Sequence, residues 1–336
     1  MTARAPVGIL GAGSWGTSLG ILLAERGIPV RLRDPDPSLA ASMDETRENL
    51  NFLPGFRFPM NLHVMYDIRE ALEGTSTAVL AVPSQVMRSV LDQVAGDLVA
   101  GRDWVIATKG LEVESGLRMS EIVAQRWPRA RCAVLSGPSL AREVAAGLPT
   151  TVLCASLDLE CADRVRELFH GPTFRVYTSA DVVGVEVGCA LKNIIALAAG
   201  IADGMDLGAN AKGALLTRGL IEITRLGVAM GARRETFLGL AGVGDLVTTC
   251  SSPLSRNRSL GEAIGHGVPP ARAQAEMTQV AEGVPTTRSA VLLARRLGVE
   301  MPIAEQVHRV LFEGLDPKDA LRELMRRPPR AEEEEA

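Results

Sequence analysis

Val7-Gly8-Ile9-Leu10-Gly11-Ala12-Gly13-Ser14-Trp15-Gly16-Thr17-Ser18-Leu19 runs from an apolar strand through a glycine loop into a helix. That order of parts suits a dinucleotide. Gly11 allows the tight turn off the strand, Gly13 lets the backbone approach a pyrophosphate with no Cβ in the way, and Gly16 lets the helix lie close on the strand. The helix N-terminus presents N–H groups and a partial positive charge to the phosphates. Glycine spacing alone is a weak signal, but here a strand precedes it and Leu19, Ile21, Leu22 and Leu23 follow as a helix, with Gly27 as its stop. The next strand, Val30-Arg31-Leu32-Arg33, leads to Asp34, 18 residues beyond Gly16, where a ribose-binding acid is expected.

Outward from this loop, short apolar runs alternate with longer helical patterns, which predicts a parallel sheet with crossover helices. Strands are expected at 77–82, 104–108, 132–135, 151–154 and 174–177, with an irregular excursion over 44–62. From about Asp181 strand patterns vanish and helical stretches such as 181–202 and 212–230 take over. The expected fold is therefore α/β: a Rossmann-like dinucleotide-binding domain with a mainly parallel sheet over 1–180, and an all-helical substrate and catalytic domain over 181–327. Residues 328–336, Pro328-Pro329-Arg330 and a run of glutamates, read as a disordered acidic tail.

Composition narrows the classes. A chain of 336 residues is long enough for two cores, and 46% apolar with 23% charged residues is ordinary for a soluble protein. A formal net charge of −4 gives no electrostatic case for nucleic acid or an anionic membrane. Residues 182–201 are apolar, but Glu186, Lys192 and Asn193 interrupt them, which argues for a buried helix over a membrane span. Five scattered cysteines without a Cys-x-x-Cys pair fit a cytoplasmic location, with neither a disulfide framework nor a zinc site. No metal-ligand spacing is present.

Of 36 basic residues only four are lysine: Lys109, Lys192, Lys212 and Lys318. Lysine is compact and can lose its proton, which arginine cannot. Lys109 follows a strand at the ligand-facing end of the sheet, as does the Ser136-Gly137-Pro138-Ser139 turn. Lys192-Asn193 sits inside an apolar helical run, where burial moves a lysine toward neutrality and lets it exchange a proton with a reacting oxygen. A lysine snorkelling its ammonium to the surface is the bland alternative. Asp245, set among glycines, is either the partner of Lys192 or a helix N-cap. Ser255-Arg256-Asn257-Arg258 is a donor cluster suited to a phosphate, or a solvated turn. No histidine lies in these clusters, so a nicotinamide enzyme built on this chain uses lysine as its acid and base.

Together the motifs GAGSWG (11–16), ATKGLE (107–112), SGPSLAREVAAGLPT (136–150), LKNIIALAAGI (191–201), LAGVGDLVTTC (240–250), SRNR (255–258) and AEGVPTT (281–287) resemble the NAD(P)-dependent sn-glycerol-3-phosphate dehydrogenases of the soluble bacterial type. The resemblance implies reversible conversion of dihydroxyacetone phosphate to sn-glycerol 3-phosphate, a supply step for glycerophospholipids, with NAD or NADP as cofactor and a homodimer as the assembly. It places Lys192 as proton donor and acceptor, with Asp245 holding it and Asn193 orienting either the ammonium or the substrate hydroxyl. Lys109, Gly137, Ser139, Lys192, Asp245, Thr249, Ser255, Arg256 and Asn257 fall where the family holds substrate. Gly11, Gly13, Ser14, Trp15, Gly16, Lys109, Ala141, Arg256, Val280 and Glu282 fall where it holds cofactor. Arg33 and Asp34 stand where the choice is made: an arginine meets the 2′-phosphate of NADP, and an acid meets the free 2′-hydroxyl of NAD. A related Rossmann hydroxyacid dehydrogenase shares the first domain but gives no account of LKN, GDLVTTC and SRNR together. A non-catalytic dinucleotide-sensing module has no need for Lys192 and Asp245.

Overall fold

The computed structural model describes residues 5–329, 331 and 332. Of the acidic tail expected over 328–336, residue 330 and residues 333–336 lie outside the described residues. The chain forms two compact units, Met1–Thr108 with Met119–Val182, and Lys109–Arg118 with Val183–Ala336.

The first unit holds β1 (Val7–Leu10), β2 (Val30–Arg33), β3 (Glu48–Asn49), β4 (Leu53–Arg57), β5 (Leu62–Met65), β6 (Thr77–Leu80), β7 (Asp103–Ile106), β8 (Arg131–Ser136), β9 (Thr150–Ala155) and β10 (Phe174–Ser179). Eight of them make one sheet in the order β10-β9-β8-β7-β6-β1-β2-β5, parallel throughout except where β8 meets β9. β1 is buried along its whole length and pairs with β2 on one side and β6 on the other, Val7 standing opposite both Val30 and Thr77. A strand covered on both faces needs a continuous apolar run, which Val7-Gly8-Ile9-Leu10 supplies. The chain leaves β1 for β2 on one side and later returns to β6 on the other, so the strand order reverses at the carboxyl end of β1. That is where the glycine loop lies, and where ligands of open α/β sheets gather.

The excursion over 44–62 is less irregular than its sequence suggests. It contains the end of the helix Pro37–Thr46, the β3–β4 hairpin and the first residue of β5. Leu62 and Val64 of β5 face the core while His63 is exposed. Four residues at the sheet edge give too short an alternation to separate from a loop.

The second unit is helical, and among the described residues no strand follows Ser179. Its central helix, Val182–Gly204, holds an 18-residue stretch with a mean hydropathy of 1.7 and is long enough to cross a membrane. Most of its side chains are nevertheless buried, the charged Lys192 and Glu186 included. The segment Lys109–Arg118 groups with this unit, whereas the sequence reading ran the first domain unbroken to residue 180. Leu111 accounts for the difference: it is fully buried in the helical core, and its carbonyl accepts from Ser289 Oγ at 3.3 Å.

Glu222 is buried here too, accepting from the N–H groups of Ile303 (2.7 Å) and Ala304 (3.2 Å) at the start of the helix Pro302–Phe312. Burial pushes its carboxyl up to about 8, against the two backbone donors. A carboxyl raised in the folded state adds stability below its unfolded value, and that stability is lost as pH rises through about 8. The limiting slope is about 1.4 kcal/mol per pH unit. Glu222→Gln is expected to flatten this decline, read by urea unfolding at pH 6 and pH 9. An equal decline in both proteins places the loss elsewhere.

Candidate active site

At the carboxyl end of β1 the backbone turns through Gly11 at φ +111°, a conformation that favours glycine. A Cβ on Gly11 would stand 2.5 Å from the Ala81 carbonyl oxygen, and one on Gly16 would stand 2.0 Å from that of Gly11. Both glycines are therefore required by the protein's own packing. Gly13 is different: a Cβ there meets nothing within 4 Å. The space beside Gly13 is open, as a site for approaching phosphates must be. Gly13 is also the N-cap of the helix Ser14–Glu25, and no side chain caps it, which leaves the helix terminus to an anion.

The loop is braced by a residue the sequence reading passed over. Asn49, on β3 and 1% exposed, donates from Nδ2 to the Ala12 carbonyl (2.7 Å) and to Thr17 Oγ1 (2.9 Å). Its signal was one of three asparagines inside the 44–62 excursion, and no local pattern marks it out from the others. Nearby, Ser18 Oγ donates to the Ala141 carbonyl at 2.9 Å, which ties the start of the helix Ala141–Ala145 to the glycine-loop helix. Trp15 packs on the core beside it and keeps a buried indole N–H without a partner. Gly137 takes φ +137°, and Ser139 Oγ donates back to the Gly137 carbonyl at 2.9 Å.

At the carboxyl end of β2, Arg33 and Asp34 are both buried. The Arg33 guanidinium donates from Nε to the Tyr66 carbonyl and from Nη2 to Gln93 Oε1, each at 3.1 Å. Asp34 Oδ1 accepts from the Asp36 N–H at 2.9 Å. Burial raises the Asp34 carboxyl above the usual carboxylate range, against that hydrogen bond.

In the second unit three charged side chains converge. Lys192, 5% exposed on the helix Val182–Gly204, donates to Asp245 Oδ1 and, at 2.6 Å, to Thr249 Oγ1. Lys109 donates to the other oxygen, Asp245 Oδ2, at 3.0 Å. One carboxylate, 1% exposed, thus serves two ammoniums. Asp245 opens the helix Asp245–Ser251, whose terminus favours a negative charge, and it is not the N-cap, a place taken by Gly244. A π-turn over Leu240–Gly244 delivers it there. That turn lies against the Lys192 helix only because Gly188 has no side chain; a Cβ there would stand 2.4 Å from the Ala241 carbonyl oxygen.

The electrostatics follow from burial and count. Desolvation opposes charge on Lys192, Asp245 favours it, and the neighbouring Lys109 opposes it again, which leaves Lys192 lowered to about 8. Burial opposes charge on Lys109 too, but Asp245 outweighs this and holds it above lysine's ordinary value. Burial acts against the Asp245 carboxylate as well, and the two lysines still bring it below the ordinary range. The result is a lysine poised to exchange a proton near neutrality beside one that keeps its charge.

Asn193 is placed differently from expectation. It does not hold Lys192: its Oδ1 accepts from Asn257 Nδ2 at 2.9 Å, while Thr249 takes the expected place beside the ammonium. Consecutive helix residues are separated by about 100°, so Lys192 and Asn193 look in different directions. Asn257 Oδ1 accepts in turn from the Gly283 N–H at 2.9 Å. Ser255 caps the helix Arg256–Gly265 through the Arg258 N–H, and exposed Arg256 donates to the Val280 carbonyl at 2.9 Å. Glu282 stands at the start of the helix Gly283–Leu297.

Residues 6–162 match the family described as NAD-dependent glycerol-3-phosphate dehydrogenase N-terminus, and residues 181–322 match its C-terminus. A Geobacter metallireducens protein named glycerol-3-phosphate dehydrogenase (NAD(P)+) is 52% identical over 329 residues, 97% of this chain and 98% of that protein. An Anaeromyxobacter dehalogenans protein of the same name is 49% identical over 96% of this chain and 98% of its own length. The crystal structure of glycerol-3-phosphate dehydrogenase from Coxiella burnetii superposes with a TM-score of 0.92 at 42% identity, covering 96% of this chain and 99% of that one. This chain belongs to the NAD-dependent glycerol-3-phosphate dehydrogenase family.

Proposed function

We propose that the chain catalyses the reversible reduction of dihydroxyacetone phosphate to sn-glycerol 3-phosphate with NADH or NADPH, a supply step for glycerophospholipids. One observation carries the reading: a buried lysine lowered to about 8 and held between a carboxylate and a hydroxyl. The residues of the first unit fit a dinucleotide, since the protein leaves the space at Gly13 open and the helix terminus uncapped. Gly11, Gly13, Ser14, Trp15, Gly16, Arg33, Asp34 and Ala141, with Lys109, Arg256, Val280 and Glu282 from the second unit, are the residues proposed to hold it. When bound, the nicotinamide supplies hydride for the ketone carbon.

The protein's own task is the oxygen. As charge develops there, Lys192 Nζ stabilises it and passes it a proton, while Asp245 and Thr249 fix the ammonium's direction. Lys109 keeps its charge beside them, which favours an anionic substrate. Ser255, Arg256 and Asn257, with Gly137 and Ser139, are proposed to grip the phosphate, so that binding remote from the carbonyl aligns it. Asn193 enters through Asn257.

The test is loss of reduced-nicotinamide absorbance with dihydroxyacetone phosphate and either NADH or NADPH. Turnover supports the reading, and the faster cofactor decides between Asp34 and Arg33. Turnover with a 2-keto acid in place of the phosphorylated ketone favours a hydroxyacid dehydrogenase, and binding without turnover favours a sensing module. The same reading carries a cytoplasmic homodimer, checked for assembly by light scattering. Gly13→Ala is a sharper probe of the loop. Its methyl meets no protein atom, so the melting temperature is expected to stay unchanged while the Michaelis constant for the dinucleotide rises on the order of tenfold. An unchanged constant places the phosphates elsewhere.

A further inference from the structure

Glu186 is buried six residues before Lys192 on the same helix, and the reaction described above makes no use of it. Its Oε2 accepts from Arg118 Nη1 at 2.6 Å, with side chains 4% and 12% exposed. Arg118 ends the segment Lys109–Arg118, and Lys109 begins it. The segment closes on itself between those ends. Leu111 and Arg118 pair as an isolated antiparallel bridge, and the Glu112 N–H donates to the Leu117 carbonyl at 3.0 Å. It is therefore a short closed loop with a lysine at one end and an arginine at the other. The lysine meets Asp245, the arginine meets Glu186, and Leu111 is buried between them.

A buried guanidinium–carboxylate pair is poor evidence for stability, because desolvation offsets much of the attraction, and its attested use is to fix register. We propose that the Arg118–Glu186 pair is a positioning anchor: it fixes the register of the closed loop on the Lys192 helix, and so sets Lys109 against Asp245. The inference rests on the proposed role of Lys192, whose acidity depends on where Lys109 stands. Among the described residues, four titratable groups face the Lys192 ammonium or its surroundings. They are Asp245 and Cys250 from the helix Asp245–Ser251, Cys189 from its own helix, and Lys109 from the loop. Only Lys109 is carried by the anchored segment. Its charge opposes a second charge on Lys192 and it takes a share of Asp245. With the anchor gone, Lys109 leaves Asp245 to Lys192 alone.

The chain's four lysines make the test direct, because carbon-13 signals at lysine Cε can be assigned by single Lys→Arg changes and titrated without turnover. In Glu186→Gln the titration of Lys192 is expected to move up by about one pH unit, and that of Lys109 to move down toward the ordinary lysine value. The Michaelis constant for dihydroxyacetone phosphate rises with them. Glu186→Arg combined with Arg118→Glu restores the pair with reversed polarity and is expected to bring both titrations back. If Glu186→Gln does not fold, Glu186→Asp, which keeps the charge but shortens the reach, carries the same readout. A folded variant with a lower melting temperature and unmoved lysine titrations overturns the anchor and leaves the pair a stabilising contact. So does a reversed pair that shifts as far as Glu186→Gln. An inactive wild-type chain overturns the reaction instead, and the titrations still decide the anchor.

Discussion

Lys192→Met is expected to reduce kcat for dihydroxyacetone phosphate by at least ~100-fold while the protein stays folded. Methionine is unbranched and of similar length, so it fills the space on the buried helix without a charge. Asp245 is not orphaned, because Lys109 still donates to its Oδ2 at 3.0 Å. The loss should fall on kcat more than on the Michaelis constant, since the ammonium acts where charge develops on the oxygen and not on the bound phosphate. Lys192→Arg should fare little better: a guanidinium keeps the positive charge but cannot release a proton at any working pH. The wild type gives the matching pH profile. Reduction needs the charged lysine and declines as pH rises through about 8, whereas oxidation of the alcohol needs the neutral lysine and rises over the same range. Near-normal turnover in Lys192→Met, with the melting temperature preserved, would remove Lys192 from the chemistry.

What was legible in the sequence divides along the range of the interactions involved. The glycine loop, the strand before it and the helix after it are neighbours in the chain, and their spacing is a direct consequence of strand and helix geometry. The same holds for the long helices from Asp181 onward, whose apolar residues recur at helical intervals. Lys192 and Asp245 stood out because a charge in an apolar run is costly, although 53 residues separate them and nothing local says that they meet. The sequence did not reveal Asn49 on the Ala12 carbonyl, the Asn193–Asn257 contact, or the docking of Lys109–Arg118 with the helical unit. The first two are each made by a single side chain reaching an element distant in sequence, the third by Lys109, Leu111 and Arg118 together, and such contacts leave no period or spacing to read. Asn193 shows the limit most plainly. Adjacency to Lys192 suggested a shared task, but the helix turn between them directs the amide to a different partner.

Asp245→Asn should have the other large effect, on stability and proton transfer together. The substitution keeps the shape of the side chain and removes the carboxylate that Lys109 and Lys192 share. Two buried ammoniums would then face each other without it, and breaking a buried pair in this way costs about 3–5 kcal/mol. The protein can relieve the penalty by releasing protons, so both lysines should titrate lower than in the wild type. A lysine lowered in the folded state gives stability that is present above its unfolded value and lost as pH falls through the folded one. Asp245→Asn should therefore be weakest in mild acid and recover toward pH 10, which urea unfolding across that range would show. Activity should move the same way for a different reason. Lys192, already lowered to about 8, loses its main source of positive bias and becomes neutral at the pH where reduction is assayed. The decline of the reductive rate with pH should shift toward acid, opposite in direction to the shift expected when the Arg118–Glu186 anchor is broken. A profile that stays near 8 in Asp245→Asn would mean that burial and Lys109, and not this carboxylate, set the proton affinity of Lys192.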